Sequence, residues 1–108
     1  MDAAASARSL TAAGWQARSS PGMPNTLSGL PQAGYLLLAS PDGHQLDAQF
    51  MQDAAAAQAE ADDVTTKDPA FLPVVIANVM VFSHPDGHAQ VDEADRASLA
   101  SLLVPTGT

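Results

Sequence analysis

The chain has 108 residues, twelve acids against four bases, a formal charge of −8 and no cysteine. That length makes one small domain, and the missing thiols exclude disulfides, thiolate metal sites and cysteine nucleophiles. The acidity sets the chain against phosphate backbones and anionic bilayers, so neither nucleic acid nor membrane is an expected partner, and a basic protein surface is.

Residues 1–22 hold one acid, Asp2, and two arginines, Arg8 and Arg18, among many alanines and serines. This composition reads as a flexible N-terminal segment preceding a single acidic domain over 23–108. It also resembles an organelle transit peptide, the alternative to a cytoplasmic location. Trp15 is the one residue that would dock the segment. Residues 19–34, with three prolines and three glycines, read as an irregular connection.

The apolar run Tyr35–Ala39 leads into SPDGH, a turn in which Pro41 presets φ and Gly43 takes the left-handed position. Beyond it, Leu46, Phe50, Ala54, Ala57, Ala61 and Val64 recur at steps of three and four, which predicts one face of a helix. Residues 62–69 read as the end of that helix and a polar connection. Residues 71–82, FLPVVIANVMVF, are apolar on both faces and form the longest such run. They fall short of the roughly 20 residues of a membrane span. Their β-branched side chains favour strand, but periodicity does not separate a buried strand from a buried helix. A second PDGH, residues 85–88, precedes a helix over 92–103. Asp92, Glu93 and Asp95 crowd its positive end, Val91, Leu99 and Leu103 mark its apolar side, and Pro105 stops it.

An internal repeat emerges. LLLASPDGHQLDAQF and VMVFSHPDGHAQVDEAD each run from an apolar segment through PDGH to an apolar residue, an Asp and a helix. Two such units would pack face to face, because neither buries its apolar side alone. The expected fold class is therefore mainly α, a small helical domain built from the two repeats. The alternative is α+β, with YLLLA and VVIANVMVF as strands.

The run DGHAQVDEADRASLASLL resembles the exit half of an EF-hand-like loop. Residues 71–103 are also similar to the helix–loop–helix units of the TerB-like tellurite-resistance family, and residues 35–58 share the pattern loosely. The EF-hand register places His84, Asp86, His88, Gln90, Asp92 and Asp95 at the six ligand positions. Two imidazoles then stand where calcium needs oxygen, and Ala89 stands where the loop needs glycine. The donor set His84, Asp86, His88, Asp92 and Asp95 suits Zn²⁺, Ni²⁺ or Cu²⁺ better, with His44 joining if the repeats pair. For the α+β alternative, LSGLPQAGYLLLASPDGHQLDAQF resembles a Roadblock-type scaffold, a dimeric module that regulates small GTPases or motors.

No nucleophile elbow, P-loop or dinucleotide fingerprint is present, and Ser83 beside His84 lacks a third group. The expected function is a non-catalytic protein-interaction module, possible also as a homodimer. A divalent-metal-binding or metal-responsive domain is the alternative, and a small enzyme or enzyme subunit the second alternative.

Overall fold

A computed structural model describes residues 1–19, 26, 28–84 and 87–105. In chain order these form α1 (Ala3–Ala12), β1 (Gln16–Ser19), β2 (Gln32–Ala39), β3 (Gln45–Met51), α2 (Ala54–Lys67), β4 (Val74–Ile76), β5 (Val79–Ser83) and α3 (Glu93–Leu102). The strands make one five-stranded sheet in the order β1-β2-β3-β5-β4, every neighbouring pair antiparallel. The fold is α+β, which corrects the mainly helical expectation.

Two segments account for the correction. Residues 71–82 do not form one element. Ile76 pairs with Val79, so Ala77 and Asn78 make a two-residue turn between β4 and β5. Ala77 adopts a left-handed φ of 52° there. The Asn78 side chain donates to the Met51 carbonyl at 2.7 Å and to the Met1 carbonyl at 3.1 Å, which fixes the hairpin end against β3 and the start of α1. The second segment is residues 45–51. Leu46, Ala48 and Phe50 alternate with Asp47 and Gln49, a period of two that overrides the helical spacing carried on into α2. The helix begins only at Asp53, whose backbone is extended and whose carboxylate accepts from the Ala56 amide at 2.8 Å. It continues through residues 62–67, read above as a polar connection.

Pleating sorts the side chains onto two faces. Leu36, Leu38, Leu46, Ala48, Phe50, Val79 and Val81 share one, together with Leu10 and Trp15 from the first segment and Val91, Leu99 and Leu103 from the last. Complete burial of a side chain such as Phe50 or Leu99 contributes about 1.5–3 kcal/mol. Helices α1 and α3 cover this face and are tied together beyond it: the Asp2 amide donates to the Val104 carbonyl at 2.7 Å, and the Val104 amide donates to Ser6 Oγ at 2.9 Å. Leu10 and Trp15 place residues 1–19 against this face, and residues 20–22 of the expected N-terminal segment lie outside the described residues.

The opposite face carries Tyr35, Asp47, Gln49, Met51 and Met80, all buried. Ala57 and Ala61 of α2 are buried against this layer. Their lack of bulk lets the helix approach the sheet closely. Glu60, on the same side of α2, accepts from the Ser28 amide and hydroxyl, at 3.5 and 3.3 Å. The result is a central sheet with helices on both faces, and β3, at its middle, is buried on both. No helix among the described residues is long and apolar enough to cross a membrane.

The repeat does not survive as a structural unit. The first PDGH closes the β2–β3 hairpin and runs into a strand, whereas the chain after the second passes through residues 87–92 into α3. Among the described residues the two copies lead into different elements, a strand and a helix, so no pair of turn–helix units is available to stack.

Candidate functional site

The three histidines separate onto three aspartates. His44 Nδ1 lies 2.7 Å from Asp95 Oδ2, joining the β2–β3 turn to the first turn of α3. His84 Nδ1 lies 2.9 Å from Asp47 Oδ1, beside the end of β5. His88 Nε2 lies 2.5 Å from Asp68 Oδ2, joining the loop before α3 to the end of α2. The hydrogen bond to Asp95, then its charge, raises the His44 imidazole above its ordinary value. The hydrogen bond from His88 holds the Asp68 carboxyl below the ordinary carboxylate range.

The proposed metal ligands are accordingly split. His84, Asp92 and Asp95 line one cleft of about 240 Å³ together with His44. His88 lies apart at Asp68, and Asp86 lies outside the described residues. Among the described residues, no three His, Asp or Glu side chains come together closely enough to hold an ion. Asp92 caps α3 by accepting from the Ala94 amide at 2.8 Å. Asp95 is buried against His44.

The most unusual electrostatic position was not singled out by the sequence. Asp47 is only 5% exposed, in the middle strand, with Leu37 of β2 and Phe82 of β5 as its cross-strand neighbours. The Tyr35 hydroxyl donates to its Oδ2 at 2.5 Å. Burial, then that hydrogen bond and the carboxylate charge, push the phenol far above its ordinary value, so Tyr35 stays protonated and stays a donor. The other oxygen, Oδ1, is buried and accepts no hydrogen bond from the described residues. His84 is near it but not aligned to donate. A buried carboxylate oxygen left without a donor costs on the order of 1–3 kcal/mol, or more for a charged group.

Beside this carboxylate the described residues leave a cleft on the same sheet face. α2 covers the row containing Tyr35, Gln49 and Met80. The next rows, Arg18–Leu37–Asp47–Phe82 and Gln16–Ala39–Gln45, are set by strand register. A cleft of about 120 Å³ lies over them, floored by Leu37 and Ala39 and walled by Gln16, Arg18, Gln45 and His84. A sequence signal for it existed: in QLDAQF, polar residues alternate inside a strand whose neighbours are apolar on both faces.

A third cleft, of about 650 Å³, runs between α2 and the edge strand β4. Phe71, Leu72, Pro73 and Val75 form one wall, Gln58, Ala61, Asp62 and Thr65 the other, with Arg96 of α3 at its border. Leu72 is 39% exposed there, high for a leucine in an apolar wall. Phe71 is anchored against Phe82, ring centroids 5.1 Å apart.

No protein-family model, no curated protein and no solved structure matches this chain.

Proposed function

We propose that the protein is a non-catalytic interaction module that receives an extended, basic segment of a partner protein along β4, in the cleft beside α2. The observation that carries this reading is the edge strand itself. Among the described residues β4 pairs with β5 alone, and its outer edge adjoins a cleft with an exposed leucine in its wall. An unpaired edge next to a groove with one apolar wall is the geometry for strand addition: main-chain hydrogen bonds supply affinity, and alternate side chains enter the groove. Asp62 and Arg96 both line the groove and offset each other, so it is the chain's overall charge of −8 that favours lysine and arginine in the incoming segment. A second copy of the chain, with the same charge, is a poorer occupant.

Selection from a library of short displayed peptides tests the reading. Peptides enriched on the protein should carry basic residues around one apolar anchor, and their affinity should fall as salt rises. Leu72→Ser should weaken them at least tenfold, or about 1.4 kcal/mol. Absence of enrichment, or enrichment of acidic sequences indifferent to Leu72→Ser, would reject it.

A further inference from the structure

We propose that the cleft over Asp47 is a binding site for a small zwitterion of the α-amino-acid class, its ammonium group on Asp47 and its carboxylate on Arg18. This site is separate from the α2–β4 groove and does not depend on the interaction proposed there.

The argument starts from what the site lacks. Asp47 presents two carboxylate oxygens in a place that water barely reaches. Tyr35 satisfies one, and the other has no hydrogen bond from the described residues. A carboxylate so placed favours a charged donor, because N–H bonds to an ionised acceptor are roughly twice as strong as neutral ones. The natural candidate within the protein, His84, stands 2.9 Å away but out of line, and its side chain is 42% exposed. An exposed imidazole can turn aside at little cost in packing, which opens Oδ1 to a ligand.

The second charge sets the class. Among the described residues Arg18 is the only cation other than a histidine in the wall of this cleft, and it shares a register row with Asp47 across Leu37. The two backbones are two strand spacings apart, roughly 9–10 Å. The long arginine side chain shortens the distance between the charges, and its planar fork suits a carboxylate. A simple amine would leave Arg18 unused, and a simple anion would face Asp47. A ligand with both charges a few bonds apart matches both.

Size and polarity agree. A volume of about 120 Å³ is well below the roughly 300–1,000 Å³ of pockets that take drug-sized ligands, so a small solute fits. Leu37 and Ala39 offer a short apolar floor for a small side chain, while the Gln16 and Gln45 amides supply further donors and acceptors at the rim.

Proton–nitrogen correlation NMR on the full chain, titrated with L-alanine, glycine, ethylamine and propionate, decides the matter. Alanine and glycine should give saturable shifts in β1, β2 and β3 around Leu37 and Asp47, at dissociation constants of about 1 mM or below. Ethylamine and propionate should bind at least tenfold more weakly. Arg18 is exposed, so Arg18→Gln folds without difficulty, and it should weaken alanine at least tenfold. Asp47→Asn, which keeps an acceptor for Tyr35, should do the same. The proposal is overturned if neither amino acid gives a saturable shift. It is equally overturned if ethylamine or propionate binds as well as alanine, or if Arg18→Gln binds alanine like the parent.

Discussion

The letters PDGH occur twice, at residues 41–44 and 85–88, and each occurrence uses its glycine for a different reason. Gly43 has a φ of 88° and open space where a Cβ would point. It is glycine because the backbone between β2 and β3 turns through the left-handed region, with Gly43 N donating to the Ser40 carbonyl and the His44 amide donating to Ser40 Oγ. Gly87 has no such backbone, but a Cβ there would stand 2.1 Å from Cε2 of Phe71. It is glycine because the loop passes flush over an aromatic ring, where the Leu72 amide donates to the Gly87 carbonyl at 2.8 Å. One tetrapeptide therefore serves conformation in one place and clearance in the other. Its recurrence carries no information about shared architecture.

Substitutions can break this contrast. Gly87→Ala drives a methyl into the Phe71 ring and should cost about 1–3 kcal/mol, the usual range for overpacking. The shift in urea midpoint, followed through the buried Trp15, measures it. Adding Phe71→Leu should return part of the loss, because the obstacle is the ring. Gly43→Ala should cost less, about 1 kcal/mol, and Phe71→Leu should not alter that figure, because the strain lies in the backbone. The converse change is Ala77→Gly in the β4–β5 turn. It relieves a left-handed alanine, against a penalty of about 0.4–1 kcal/mol from the freer unfolded chain, for a net gain of about 0.5 kcal/mol.

Protonation distinguishes the two turns more gently. The His44–Asp95 pair steadies the first turn. Because His44 binds its proton more tightly when folded, this support is complete below the ordinary imidazole value of 6.5 and disappears as pH rises through the higher folded value. The His88–Asp68 pair steadies the second loop. Asp68 is more acidic when folded, so its support is present above the ordinary value of 3.8 and disappears as pH falls through the lower folded value. NMR titration of the His44 ring should show a higher pKa in the parent than in Asp95→Asn, and an unchanged pKa would refute the assignment.

Local chemistry was readable and distant partnership was not. The Ser40–His44 turn follows from Pro41 and Gly43. Helix α3 follows from Asp92, its acidic first turn and the apolar side ending at Leu103. Helix α2 was half read, because Leu46 and Phe50 happen to prolong the spacing of Ala54, Ala57 and Ala61 back across Asp53. Alternation from Leu46 to Phe50 was the competing signal, hidden because Asp47 and Gln49 look like surface residues and are buried. Residues 71–82 looked continuous because the turn at Ala77 and Asn78 is made by residues that also suit a helix or strand. The histidines lay beyond local reading altogether. Their carboxylate partners stand 51, 37 and 20 positions away in sequence, and only the sheet and the α3 packing bring them together.

Strand β3 has a consequence for the motions of the molecule. It is flanked by β2 and β5 and shielded above and below, so no fraying edge or partial opening reaches its inner amides. Deuterium should enter Leu46–Phe50 only when the whole chain unravels. The slowest-exchanging protons there would read out global stability directly, while those of β1 and β4 report local breathing at the two borders.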